Sequence, residues 1–377
     1  MLITLGLLLA AQDPAAIDRA VRAGIEAGVF PGAVVVVGTA DQVIHARGYG
    51  HFTWNPASRV PDPDSTLFDL ASLTKVVATT TATMLLADRG QLALQHPVRR
   101  YLPDFTGDGK DSVTVRHLLE HRSGLRPFLR LDTLARDAAE ARRLVLTEPL
   151  RHAPGTQVVY SDLNAMLLGW IIEAVSGSTL DTFVAREVLR PLGMSRARFR
   201  PARRERGAIM PVGLWRGHAI AGEVHDQNAA RLGGVAGHAG LYATGGEVAR
   251  FAQFMLRRGT TADGAALIRG GAVDLFVRRG PGNRALGWEM RDTTLTDNSG
   301  QWMSAATYGH TGYTGTSVWI DPERGLFVIL LTNRVFAPRT NRSITELKKV
   351  RAAVADAAVL LFDACRPAAT CPRVEVP

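Results

Sequence analysis

The two ends of this chain carry the same pair of elements in opposite order, and that arrangement constrains the fold more than any single segment does. Near the start, Ile17, Val21 and Ile25 recur every four residues and predict an amphipathic helix ending near 28–31. Ala33-Val-Val-Val-Val37 follows, a continuous β-branched run suited to a strand covered on both faces, and 43–47 can return beside it after a turn around Asp41. Near the end the order reverses. Residues 316–320 and 326–331 read as strands joined across the turn Asp321-Pro-Glu-Arg-Gly325, and Ile344, Leu347, Val350, Val354, Ala358 and Leu361 then fall at helical spacing. A further strand is expected over 285–290. Helix then hairpin, and hairpin then helix, predict an α/β fold: one antiparallel sheet built from both termini and flanked by helices, with a mainly helical domain inserted. The expected parts are 12–96 with 285–365 for the sheet domain, 97–284 for the helical domain and 366–377 for a tail.

Between the hairpins the pattern is helical. Residues from about Ser72 to Asp88 lack a polar stripe, carrying Val76, Val77, Ala78, Ala82, Met84, Leu85 and Leu86 before Gly90 as a stop, so a central buried helix is expected there. Other helices are expected near 163–175, after Ser178 up to Pro191, and over about 247–257 closed by Gly259. A cleft between the sheet and the helical part is the expected place for a site.

The formal charge is +9, with 40 of the 44 basic residues arginine and scattered along the chain. Short clusters such as Arg203-Arg-Glu-Arg206 lack interleaved aromatics, so nucleic-acid binding is not expected, and attraction to an anionic envelope is the better reading. No apolar run is long enough for a transmembrane anchor. Residues 1–11 form a short apolar stretch followed by small residues, which reads as an export signal, with an apolar cap on the fold as the alternative. Cys365 and Cys371 are the only cysteines. They are too few for a structural zinc site, and they form either one small bridge or two thiols.

Chemistry enters at Ser72-Leu-Thr-Lys75. Only four lysines and 13 serines occur in 377 residues, so chance places a lysine three after some serine roughly 0.14 times. Residues three apart share a helix face, which brings the amine within reach of the hydroxyl, and a helix start adds exposed N–H groups for an anionic intermediate. Two other segments combine polar groups with sharp backbone, Gln157-Val-Val-Tyr-Ser-Asp-Leu-Asn164 and Tyr308-Gly-His-Thr-Gly-Tyr-Thr-Gly315.

With Ser72-x-x-Lys75, Tyr160-Ser-Asp162 and His310-Thr-Gly312 in this order, the chain resembles the serine β-lactamase-like hydrolases over about residues 15 to 362. The branch is the one shared by class C β-lactamases, DD-peptidases and related esterases, whose motifs are Ser-x-x-Lys, Tyr-x-Asn and Lys-Thr-Gly or His-Thr-Gly. The resemblance implies acyl transfer without a cofactor or metal. Ser72 attacks a carbonyl, and Lys75 and Tyr160 share the transfer of its proton, with either as the base and the lysine pKa open to lowering by burial. The backbone N–H groups of Ser72 and Tyr313 form the oxyanion hole, and Asp162, His310, Thr311, Gly312 and Tyr313 meet the substrate. Gly312 is expected to let the substrate approach the strand.

Two departures bear on substrate. Asp162 stands where the family usually has Asn, losing an amide donor and either pairing with Lys75 or capping the helix at 163. His310 replaces Lys, so a mostly neutral imidazole faces the substrate, and Arg334 offers either a positive group near the strand or a surface salt bridge. His225, Asp226 and His238 lie in segments that lack metal-ligand spacing and read as a glycine-rich cleft wall. The expected protein is an exported serine hydrolase acting on an ester or a D-amino-acid amide, a small molecule or cell-wall peptide. The alternatives are a true β-lactamase or a non-catalytic penicillin-binding sensor on the same fold. No Gly-x-Ser-x-Gly occurs, which argues against an α/β-hydrolase.

Overall fold

The computed structural model describes residues 14–294 and 298–365; the apolar segment 1–11, Cys371 and the tail 366–377 lie outside them. The main sheet is made of β1 (Gly32–Thr39), β2 (Val43–Gly50), β8 (Glu289–Met290), β9 (Tyr308–Thr311), β10 (Ser317–Asp321) and β11 (Leu326–Thr332). These six strands are all antiparallel, in the order β2-β1-β11-β10-β9-β8. Strands from the two ends meet at its centre, where β1 pairs β11 with Val34 opposite Leu331 and Val36 opposite Ile329. Shorter strands lie between: β3 (Phe68–Asp69), β4 (Arg198–Phe199), β5 (Gly213–Trp215), β6 (His218–Ile220) and β7 (Leu241–Ala243).

Alternation along β1 explains the layers. Ala33, Val35 and Val37 face one side with Leu330 and Trp319, and are covered by α1 (Ala15–Glu26) and by the C-terminal helix Ser343–Cys365 through Ile17, Val21, Val350 and Val354. Val34 and Val36 face the other side and join the larger core. The helix Gly245–Leu256 packs there against β1 and β11, although it belongs to the 97–284 stretch of the chain. Gly245 permits the contact, since a Cβ there would lie 2.7 Å from Val34 Cγ1. Each fully buried valine contributes about 1.5–3 kcal/mol, so both faces of β1 are sites where one polar substitution would destabilise the fold.

Two sequence expectations need correction. The helix expected from Ser72 starts just after it, and Lys75–Thr80 is wound as a π turn before α2 (Thr81–Asp88). The β-branched residues Val76, Val77, Thr79, Thr80 and Thr81 crowd an α turn, and the Thr81 hydroxyl donates back to Val76 O at 2.8 Å. The strand expected over 285–290 is reduced to Glu289–Met290. Gly287 takes a φ of 86°, and Ala285 N–H donates to Trp288 O, so the chain turns where it presses on Thr80. The remaining helices that position the site are α3 (Val115–Leu119), α4 (Ala138–Thr147), α5 (Asp162–Ser176), α6 (Gln227–Arg231), α7 (Gly245–Leu256), α8 (Gly270–Val277) and α9 (Ser343–Cys365). Cys365 at the end of α9 is disulfide-bonded. Among the described residues no single helix is long and apolar enough to cross a membrane.

Candidate active site

Ser72 follows Ala71, a non-glycine residue at φ 47°, and precedes the π turn that begins at Lys75. That placement leaves the Ser72 N–H outside the helix ladder, and it donates to nothing among the described residues. Lys75 reaches back over the same turn. Its Nζ donates to Ser72 Oγ at 2.8 Å and to His238 O at 3.2 Å, and lies 2.8 Å from Asp162 Oδ1. The lysine side chain is 4% exposed, so burial opposes its charge, but Asp162 and then Tyr160 outweigh burial and hold its pKa above the ordinary lysine value. This corrects the expectation of a lysine lowered by burial. Asp162 is the first residue of α5, behind Ser161 at the cap, and its carboxylate serves the ion pair rather than the helix end.

Tyr160 stands at the junction of three segments. Its ring centroid lies 5.2 Å from Lys75 Nζ, 5.1 Å from the Arg284 guanidinium carbon, 4.7 Å from the His121 ring and 5.8 Å from the His310 ring. His121 and Arg284 carry no sequence signal near the three motifs, and folding alone brings them in. His121 Nδ1 accepts from Ser161 N at 3.1 Å and Asn164 Nδ2 at 3.3 Å, so its proton sits on Nε2. Burial, Arg284 and Lys75 hold His121 well below the ordinary histidine value, so it stays neutral. Arg284 makes no ion pair among the described residues, and its Nη1 is buried without a partner.

Strand β9 supplies the opposite wall. His310 Nδ1 donates to Thr311 O at 2.8 Å, which leaves Nε2 as an acceptor. Burial, then Lys75 and Arg284, push His310 well below the ordinary value, so the neutral imidazole expected at this position is what stands there. Gly312 is required by the protein itself, since a Cβ would lie 2.1 Å from Thr316 Oγ1 and 2.7 Å from Leu70 O. Tyr313 projects outward, 59% exposed, while its N–H donates to nothing among the described residues. Arg334 is buried, not a surface salt bridge. Its Nε donates to Tyr313 O at 3.1 Å, joined by Nη2, while Nη1 donates to Ser343 Oγ at 3.1 Å. Arg351, on α9, donates to Gly312 O at 3.0 Å and Thr316 O at 2.7 Å. These two arginines pin the turn through its carbonyls, so the N–H of Tyr313 faces away from them.

The glycine-rich segment 222–240 closes the third side. Asp226 caps α6 through Ala229 N at 2.8 Å and meets His238 Nε2 at 3.0 Å, and although burial opposes its charge, the His238 contact holds it well below the usual carboxylate range. His225 stacks on the Tyr313 ring at 5.6 Å. Together these segments enclose a cleft of about 800 Å³ with Ser72, Tyr160, Asp162, His310 and Tyr313 on its walls and Phe128 and Ile344 at its rim. Lys75 sits beneath that surface, behind Ser72. All eight residues singled out from the sequence thus converge on one cleft or its floor, Thr311 and Gly312 through the β9 wall.

Comparison with known proteins agrees with this architecture. A profile of the beta-lactamase family matches residues 17–352. The chain is 29% identical over 358 residues to an Escherichia coli K12 protein named "Putative D-alanyl-D-alanine carboxypeptidase", covering 85% of this chain and 82% of that one. It is 32% identical over 363 residues to "N-acetylmuramyl-L-alanine amidase" of Bacillus subtilis, covering 85% and 81%. Among solved structures, "EstCE1, a hydrolase with promiscuous acyltransferase activity" superposes with a TM-score of 0.71 at 22% identity, covering 92% of this chain and all of that one (100%). The chain therefore belongs to the beta-lactamase family of hydrolases, with the mixed fold of an antiparallel sheet and flanking helices that this family shares.

Proposed function

We propose that the protein is an exported serine hydrolase that forms an acyl-enzyme at Ser72, with an ester or a D-amino-acid amide of peptidoglycan type as substrate. The observation that carries this is the Lys75 ammonium 2.8 Å from the Ser72 hydroxyl, beside two backbone N–H groups, of Ser72 and Tyr313, that donate to nothing among the described residues. Ser72 Oγ attacks the substrate carbonyl carbon, and the carbonyl electron pair moves onto oxygen, where those N–H groups receive the charge. The Lys75 ammonium donates to Ser72 Oγ and His238 O and is held charged by its ion pair with Asp162, so the lysine polarises the serine instead of taking its proton. Tyr160 carries the transfer: its oxygen takes the serine proton as its own proton passes to the leaving oxygen or nitrogen, so the phenol is neutral before and after. Water then attacks the acyl carbonyl by the reverse relay and frees Ser72.

The substrate class is supported by the names of the two relatives, both of which concern amides of alanine, and the ester option by EstCE1. Arg284, beside Tyr160 and without an ion pair among the described residues, favours a substrate with an anionic group near the leaving atom. Export is supported by the apolar residues 1–11 and by a disulfide-bonded Cys365. The deciding experiment is a panel of p-nitrophenyl esters, D-alanyl peptides and a chromogenic cephalosporin, run on the wild type and Ser72→Ala with intact-mass detection of the acyl adduct. Turnover of an ester or peptide, lost with the adduct in Ser72→Ala, is expected. Undiminished labelling of Ser72→Ala by an active-site serine probe refutes the nucleophile, preferred cephalosporin turnover makes it a β-lactamase, and a burst without steady state makes it a sensor.

A further inference from the structure

Asp69, the last residue of β3, is 3% exposed, and no cation is among the charges that act on it. It stands three residues before Ser72 and joins three segments. Oδ1 accepts from Ala71 N at 2.9 Å, Oδ2 accepts from His225 N at 2.8 Å, and its backbone carbonyl accepts from the Thr314 hydroxyl at 2.8 Å. The next carbonyl, Leu70 O, accepts from the Thr316 hydroxyl at 2.9 Å. Ala71 is held at φ 47°, where a non-glycine residue costs on the order of 1–2 kcal/mol, so something must retain it. Each neighbour of Asp69 is next to an oxyanion donor: Ala71 precedes Ser72, Thr314 follows Tyr313, and the His225 ring stacks on the Tyr313 ring.

We propose that Asp69 is the positioning residue of the oxyanion pocket: with Ala71 and His225 on its two carboxylate oxygens and Thr314 on its carbonyl, it sets the spacing between the Ser72 and Tyr313 N–H groups. The proposal rests on the acyl-transfer reading above. Only an ionised carboxylate does this, because asparagine has one acceptor oxygen and would turn an NH2 group toward the second N–H. Packing alone does not account for the residue. Burial first, and then Asp226, push the Asp69 carboxyl up to about 6 against the two N–H donors. The groups facing it are Asp226, itself engaged by His238, and the Tyr242 ring across the β3–β7 pair, with Glu223 beyond. An ionised carboxylate in that company lowers stability at neutral pH, so a residue kept for stability would not be this one.

Asp69→Asn is tested on the full chain with a p-nitrophenyl ester. The expected result is a loss of about 100-fold in kcat with KM within about threefold, comparable to removing one oxyanion donor, and a melting temperature no lower than wild type. In the wild type kcat falls as pH drops through about 6, and that limb is absent from Asp69→Asn. If the variant does not fold, the wild-type limb still decides, read against tryptophan fluorescence to show that the fold persists at pH 5. Wild-type kcat in Asp69→Asn, a kcat loss matched by a lower melting temperature, or a flat wild-type profile from pH 5 to 8 each overturn the proposal. Ser72→Ala is run beside it: if that variant turns over, the acyl-transfer reading has failed, whereas an inactive Ser72→Ala with a fully active Asp69→Asn defeats the positioning role alone.

Discussion

Replacing Asp162 with asparagine removes one charge and almost no volume, and it leaves the Lys75 ammonium buried among neutral acceptors only. At 2.8 Å and an effective dielectric near 20 the pair attracts by about 6 kcal/mol before desolvation is subtracted. Breaking a buried pair costs about 3–5 kcal/mol, and the Asp162 side chain is 20% exposed, which puts the expected loss at the lower end, about 3 kcal/mol. The same energy moves the Lys75 protonation equilibrium by about two decades toward the free amine. Because the fold raises the lysine pKa, the stabilisation is complete below the ordinary value of 10.5 and is withdrawn only as pH climbs through the higher folded value. Urea denaturation at pH 6 to 9 should therefore show a constant deficit of about 3 kcal/mol in Asp162→Asn, narrowing only above about 10.5. In ester hydrolysis the variant should gain an alkaline rise in kcat, absent from the wild type, as a neutral Lys75 becomes able to accept the Ser72 proton. A deficit under about 0.5 kcal/mol together with an unchanged pH profile would refute the ion pair as the reason Lys75 stays charged.

Other substitutions probe the walls. Gly312→Ala puts a methyl group 2.1 Å from Thr316 Oγ1, and a thermal melt should show about 1–3 kcal/mol of destabilisation, whereas an unchanged melt would mean the loop yields freely. For Asp69 the folded value of about 6 exceeds the ordinary 3.8, so wild-type stability should rise by about 2.4 kcal/mol relative to Asp69→Asn as pH falls from 7 to 4, measured by denaturation at each pH. Arg284→Met should lower kcat/KM for a substrate carrying a carboxylate at least tenfold more than for its methyl ester, and equal losses for the two would remove the anion-recognition role. Tyr160→Phe should reduce kcat on an amide more than on a p-nitrophenyl ester, because only the amide nitrogen needs a proton to leave.

Much of the frame was legible because the signals were local. The valine-rich run at 33–37 and the helical spacing of 344–361 each declare one element, and their mirror-image order declares the shared sheet. The three short motifs likewise lie in one cleft because each is a local turn beside a regular element. What escaped depends on distant partners, apart from one local case. The π winding at Lys75–Thr80 arises from β-branched crowding within a helix that periodicity alone reads as α. The chain turns at Gly287, which lies against Thr80, and no spacing in 285–290 reports that. The Lys75–Asp162 pair was legible only as one of two roles for Asp162, because the carboxylate stands 87 positions away and the folded chain alone chooses the ion pair over the helix cap. His121 and Arg284 were missed because each is polar without a pattern, and only the folded chain sets them against the Tyr160 ring.

The sheet that joins the first and last strands also sets a timetable. Ser72 and Lys75 emerge early in synthesis, but the N–H of Tyr313, the strand β11 that pairs with β1, and the Arg351 guanidinium that fastens the 312–316 turn all arrive in the final sixth of the chain or nearby. A partial chain thus holds a serine and an amine with no pocket to stabilise an oxyanion. On the acyl-transfer reading, hydrolytic competence appears only when the C-terminal hairpin docks, so a growing chain stays chemically silent until its last strand and helix are in place.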